Sequence, residues 1–119
     1  MSGAFSLVVQ RDPHGRYAII RTEGYINNLA GEQIGAQASA LMADGFRRLV
    51  IDMEKSTVIN SIGISILIEV IERMQELHGT LAFCKLTRTI AKTFTIMGLA
   101  QYAQIYASDG DAVRGVMEA

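Results

Sequence analysis

The period of the hydrophobic positions changes several times along the chain, and each change marks a predicted element. Phe5, Leu7 and Val9 alternate with Ser6, Val8 and Gln10, the two-residue period of a half-buried strand over 5–11. Asp12-Pro13-His14-Gly15 supplies turn chemistry, and 17–22 reads as the returning strand of an antiparallel hairpin. The period then lengthens. Ala30, Ile34, Ala38 and Leu41 share one face of a helix over about 29–43, preceded by the capping residues Asn27-Asn28 and stopped by Asp44-Gly45. Leu49-Val50-Ile51 is a continuous apolar run, as a strand buried on both faces requires, and Asp52 is placed where that run gives out.

A polar loop follows, and a second helix opens at Asn60-Ser61. At 3.6 residues per turn, Ile64, Leu67, Ile68, Ile71 and Met74 form its core stripe, while Ser61, Ser65, Glu69, Glu72 and Glu76 form a wet polar face. Ile62, Ile66 and Arg73 lie beside the polar face, away from the stripe, so these isoleucines are expected to be spare apolar groups next to Ser61. Gly79 leads into a strand over 80–86 that carries Leu81, Phe83 and Cys84. Thr87 or Thr89 then caps a short helix in which Ile90, Phe94 and Met97 align, ending at Gly98. A brief strand over 104–107 and a last helix from Ser108 or Asp109, with Ala112, Val113, Val116 and Met117 inward, complete the chain. Connections too long for hairpins imply parallel pairing after the first strand. The expected fold is therefore one α/β domain over 1–119, a mixed sheet of about five strands with an antiparallel first strand and about four helices, the two longer ones giving most of the cover.

Composition narrows the function classes. The 119 residues are half hydrophobic with a formal net charge of −1, which offers no basic field for nucleic acid. No stretch approaches the roughly 20 apolar residues of a membrane helix, and the N-terminus lacks a basic region followed by an apolar run, so a cytoplasmic protein without membrane insertion is expected. Cys84 is the one cysteine and is expected to be a buried inert thiol; His14 and His78 have no metal-ligand spacing, and no cofactor is expected. There is no Gly-x-Ser-x-Gly elbow, no Walker loop, no Gly-x-Gly-x-x-Gly and no histidine placed as a base for Ser61. Asp52 is expected to cap a loop rather than to carry acid–base chemistry, and no catalytic residue is assigned. On pattern alone Asn60-Ser61 satisfies the first free amides of a helix.

The run from Arg48 to Glu69, with Asp52 at a strand end and Asn60-Ser61-Ile62-Gly63 at a helix start, resembles the signature of the STAS domain family, shared by bacterial anti-sigma factor antagonists and the cytoplasmic tails of sulphate transporters. In that family an Asp-Ser-Ser-Gly type helix start carries the serine that an anti-sigma factor kinase phosphorylates; Ser61 stands on that position. Gly24-Tyr25-Ile26-Asn27 resembles a second family stretch in which Asn27 matches an aspartate. Asn60 replaces the usual aspartate, and Ile62 replaces the second serine.

The resemblance implies an anti-sigma factor antagonist, not an enzyme. As a phosphorylation-gated switch it would bind an anti-sigma factor serine kinase when unmodified, release a sigma factor, and be reset by a phosphatase acting on phospho-Ser61. Asn27, Ser56, Thr57, Asn60, Ser61, Ile62, Gly63 and Ile66 are the expected partner-binding residues, with Ser56, Thr57 and Ser65 as other hydroxyls in an exposed region. The departures at Asn60 and Ile62 keep open a non-phosphorylated scaffold in a transporter ATPase or a larger signalling complex.

Overall fold

A computed structural model describes residues 4–119; residues 1–3 of the domain expected over 1–119 lie outside the described residues. Five strands form one sheet in the order of the chain: β1 (Ser6–Arg11), β2 (Ala18–Glu23), β3 (Arg48–Lys55), β4 (Thr80–Cys84) and β5 (Gln104–Tyr106). The β1–β2 pair is antiparallel and every later pair is parallel. Four helices connect or follow the parallel strands: α1 (Asn28–Ala43), α2 (Ser61–Glu76), α3 (Arg88–Ile96) and α4 (Asp109–Glu118), with a 3-10 turn at Leu99–Gln101. This is the mixed five-stranded, four-helix architecture that the changes of period predict.

The two-residue period of the strands sorts the core into two layers. Ala18 and Ile20 of β2, Leu49, Ile51 and Met53 of β3, and Leu81 and Phe83 of β4 face α1, α2 and α3, and most of the buried apolar residues belong to this layer. Ile19, Val50, Ala82 and Cys84 face the other way, against Ala112 and Val116 of α4. Cys84 is sealed there, and burial pushes its thiol up to about 12. On α2 the residues Ile64, Leu67, Ile71 and Met74 are buried, each contributing about 1.5–3 kcal/mol of transfer free energy. On α3, Phe94 stands edge-on to Phe83 with ring centroids 5.0 Å apart, which anchors the helix to the sheet.

Several expectations need correction. β3 continues through Asp52 to Lys55, because Asp52 is paired in register with Arg21 and Cys84 on the neighbouring strands. β4 ends at Cys84 rather than at 86, and Lys85 takes a left-handed backbone (φ 60°) that turns the chain out of the sheet. Ile68, Val113 and Met117 are half-buried, and Met97 is half-exposed, because α3 presents only Ile90 and Phe94 to the core. Val70, outside the expected stripe, is buried on the side of α2 that meets α1.

The contact between α1 and α2 depends on small residues. A Cβ built on Gly63 would lie 2.8 Å from the Ile26 carbonyl oxygen, 3.0 Å from Ile26 Cγ2 and 3.1 Å from Ile59 Cγ1; one on Gly31 would lie 2.8 Å from Ile66 Cδ1. Ile66 is therefore half-buried over the α1 glycines rather than spare. Gly63→Ala is expected to lower stability by about 1–3 kcal/mol, because its new methyl meets backbone that cannot move aside. Gly110→Ala in α4, where the nearest atom to a new Cβ is Ser108 Oγ at 4.0 Å, is expected to leave stability unchanged or raise it by up to about 1 kcal/mol. Urea unfolding of both variants measures the difference; equal midpoints would contradict the packing described.

Candidate functional site

The start of α2 is built from two loops joined to each other. The loop after β2 and the loop after β3 run side by side through a parallel bridge between Ile26 and Ile59. The Ile26 N–H donates to the Val58 carbonyl at 2.9 Å, and the Asn60 N–H donates to the Ile26 carbonyl at 3.0 Å. Ile26 is fully buried beneath this bridge. The loops lead directly into α1 and α2, so the two helices begin next to each other.

Both starts are capped by asparagine. Asn27 Oδ1 accepts from the Ala30 N–H at 3.0 Å, and Asn60 Oδ1 accepts from the Gly63 N–H at 2.8 Å. The Asn60 amide also donates, from Nδ2 to Asn28 Oδ1 at 3.1 Å. One side chain thus satisfies a free amide of α2 and ties it to the first residue of α1. A carboxylate in the same place could accept but not donate. The departure from aspartate at this position therefore has a local use.

Ser61 is the first residue of α2 and is exposed to solvent. Its carbonyl accepts from the Ser65 hydroxyl at 3.0 Å. Four large apolar side chains of the two joined loops and helix starts face water: Ile62 in the same turn, Val58 in the preceding loop, Tyr25 in the opposite loop, and Leu29 in the first turn of α1. Their exposures, between 43 and 64%, are high for residues of their size. Of these four, Ile62 is among the residues expected at the site from sequence, and Tyr25, Leu29 and Val58 are not. The signal available was their position next to the two asparagine caps, outside any helical stripe.

The other expected residues separate by burial. Thr57 is exposed in the loop and Asn27 is exposed at the α1 cap. Ser56 is fully buried, its hydroxyl 2.8 Å from that of Thr22, so it is not the exposed hydroxyl expected of it. Gly63 is buried under Ile26 and Ile59, and Ile66 is half-buried on α1. These two act on the site through packing rather than by offering contact surface.

Asp52 belongs to a different place. It is on the α4 side of the sheet, almost fully buried, with Oδ2 2.6 Å from Arg21 Nη1 and 3.7 Å from Lys85 Nζ. Arg21 Nη1 also reaches Asp109 Oδ2 at 3.1 Å, at the first turn of α4, and Lys85 Nζ reaches Glu54 Oε1 at 3.5 Å. Asp52 Oδ1 accepts from the Glu54 N–H at 2.9 Å. The expected loop cap is thus the buried centre of an ion-pair cluster. Two cations, Arg21 and Lys85, are shared among three carboxylates, Asp52, Glu54 and Asp109. The signal that was available is that Arg21 and Asp52 each lie two residues beyond a core residue, Ile19 and Val50, but pairing them requires the strand register.

Comparison with known proteins agrees with this architecture. The STAS domain family model matches residues 7–112. The chain belongs to the STAS domain family. A curated Bordetella bronchiseptica relative, BtrV, whose name gives it provisionally as an anti-sigma factor antagonist, is 29% identical over 76 residues, which span 64% of this chain and 66% of BtrV, just under two thirds of that relative's length. A crystal structure of an anti-sigma factor antagonist from Mycobacterium paratuberculosis superposes with a TM-score of 0.82 at 19% identity, covering 95% of this chain and 94% of that one. The Bacillus cell fate determinant SpoIIAA in its phosphorylated form superposes with a TM-score of 0.71 at 23% identity, covering 95% and 99%. These two structural likenesses establish the STAS fold.

The ion cluster makes stability depend on pH in a stated direction. The hydrogen bond from Arg21 holds the Asp109 carboxyl below the usual carboxylate range against an opposing effect of burial, with the Lys85 cation adding to the lowering. A lowered carboxyl contributes stability that is complete above its unfolded value and is lost as pH falls through the folded one. Arg21→Met is expected to cost about 1–3 kcal/mol near neutral pH, discounted because Arg21 is one-third exposed and Lys85 remains. It also flattens the fall in stability below about pH 4. Thermal melts from neutral to acid pH test this; parallel curves for wild type and variant would contradict it.

Proposed function

We propose that this STAS domain is an anti-sigma factor antagonist whose binding is gated by phosphorylation of Ser61. Unmodified, it binds an anti-sigma factor serine kinase through the start of α2 and the adjoining loops and so frees a sigma factor. The kinase then transfers phosphate to Ser61, and a phosphatase acting on phospho-Ser61 restores the binding form. The domain is a regulatory binding module of the cytoplasm rather than an enzyme, with no nucleic acid or membrane partner in this role; among the described residues no helix is long and apolar enough to cross a membrane.

The observation that carries the reading is the exposed Ser61 where two helices begin, with Tyr25, Leu29, Val58 and Ile62 exposed on the same joined loops and helix starts. The names of BtrV and of the mycobacterial neighbour support the partner class, and SpoIIAA is a structural neighbour described in a phosphorylated form. Phosphate adds a charge of about −1.5 to −2. In the free protein that charge is tolerated, because the positive ends of α1 and α2 both lie close to it and each offsets roughly 0.3–1 kcal/mol. In the complex the same dianion is trapped without water against the four apolar side chains. The penalty for an unpaired buried charge is several kcal/mol, which exceeds what the helix ends return. Modification therefore ejects the partner and spares the fold.

Isothermal titration against the anti-sigma kinases encoded in the same genome tests the gate. Ser61→Ala is expected to bind as wild type does, and Ser61→Asp to bind at least about 100-fold more weakly, equivalent to about 2.7 kcal/mol, with both variants melting near the wild-type temperature. Equal binding by the two variants would remove the gate and favour the non-phosphorylated scaffold reading, which uses the same surface.

A further inference from the structure

A groove runs between the second half of α2 and the chain that follows α3. Ile68, Ile71 and Leu99 line its apolar part, with Met97 and Tyr102 on the α3 side and Glu72 and Gln75 on the α2 side. Met97 is 50% exposed, Tyr102 61%, and the neighbouring Ile96 74%. Large apolar side chains gathered at this exposure are not needed for the core, which already closes over Ile90, Phe94 and Leu99.

Two observations bear on the occupant of the groove. The first is continuity with the Ser61 rim. At 100° per residue, Ser61, Ser65, Ile68, Glu72 and Gln75 lie on one strip of α2, so the groove and Ser61 are on the same side of that helix, within about 21 Å along its axis. An interface of ordinary size takes about 800 Å² from each partner, which extends well beyond one helical turn. The second is charge. Glu69, Glu72 and Glu76 stand on the exposed face of α2 and form no ion pair among the described residues, while the nearby Arg73 guanidinium is turned towards α1, where it donates to the Ser39 hydroxyl. Glu72 on the groove wall, with Glu69 and Glu76 on the adjoining exposed face of α2, makes the α2 side acidic beside an apolar floor.

We propose that the groove lined by Ile68, Ile71, Met97, Leu99 and Tyr102 is a second, phosphorylation-independent part of the kinase-binding surface, and that it receives an amphipathic helix of the kinase with an apolar ridge flanked by lysine or arginine. This rests on the partner reading above and adds to it the chemistry of the partner. The apolar ridge seats between two helices in the way helix-in-groove recognition works, and the basic flanks meet the α2 carboxylates. The groove holds the kinase along α2 while Ser61 at the rim is presented to its active centre. The rim decides whether the complex forms; the groove decides which kinase forms it.

The test uses the full chain and the kinase that binds and phosphorylates the wild type. Met97→Ala and Tyr102→Ala truncate exposed side chains remote from Ser61, so their melting temperatures are expected to match wild type. Each is expected to weaken kinase binding by about tenfold or more and to raise the KM for Ser61 phosphorylation in proportion, with kcat unchanged, since the contact is made equally in ground and transition states. Glu72→Lys is expected to weaken binding by about fivefold at low salt and less at high salt. If the wild type binds and the groove variants bind equally well, the groove proposal fails while the Ser61 gate stands. If no kinase binds the wild type, both fail. If the wild type sediments as a dimer, the groove variants as monomers, and kinase affinity is unchanged, a second copy of this chain occupies the groove and the proposal is overturned.

Discussion

The pairing of two loops through Ile26 and Ile59 is the constraint from which the rest of the molecule takes its shape. Two backbone hydrogen bonds and a buried isoleucine hold the end of the β2–α1 connection against the end of the β3–α2 connection. Because Gly63 has no side chain, the first turn of α2 can lie directly on Ile26, and because Gly31 has none, Ile66 can seat against α1. The consequence is an arrangement in which two helix starts, two asparagine caps and four exposed apolar side chains share one rim. A flexible loop could present the same residues but not at a fixed spacing. Rigid presentation lowers the ordering cost for any partner that binds there.

Two polar features that look alike in sequence have different roles because of where the strands place them. Asp52 and Asn60 both stand at the borders of the central strand–loop–helix run. Asp52 points to the α4 side and is neutralised by Arg21 and Lys85, which joins β2, β3 and the start of α4. Asn60 caps α2 with its side-chain oxygen and its carbonyl, and reaches across to the α1 side with its Nδ2, to Asn28, and its N–H, to the Ile26 carbonyl. The first stabilises the sheet from behind. The second caps α2 with a neutral side chain where the family's usual residue carries a charge.

The order of the elements, the antiparallel first strand and the core stripe of α2 were legible from period alone, because Leu49-Val50-Ile51 and the 3.6-residue spacing of Ile64, Leu67, Ile71 and Met74 have few other solutions. The resemblance carried by Asn60-Ser61-Ile62-Gly63 indicated the family. What sequence could not give was any property decided by pairing across the fold. Ser56 looks like a loop hydroxyl until Thr22 on the next strand covers it. Ile66 looks spare until the glycines of α1 are brought under it, and Met97 looks inward although Phe94 is the α3 side chain that meets Phe83 and Met97 stays half-exposed. Tyr25, Leu29 and Val58 carry no period at all and become a surface only when the two loops meet.

The central claim is that the hydroxyl on this rim is the acceptor and that the scaffold beneath it is indifferent to the added charge. Incubation with ATP and the anti-sigma kinase, followed by peptide mass spectrometry and a thermal melt of the modified protein, measures both at once. A single phosphate on Ser61 and a melting temperature close to that of the unmodified chain are expected. Phosphate on Thr57 or Ser65 in place of Ser61, or a modified protein that has lost its cooperative transition, would contradict it.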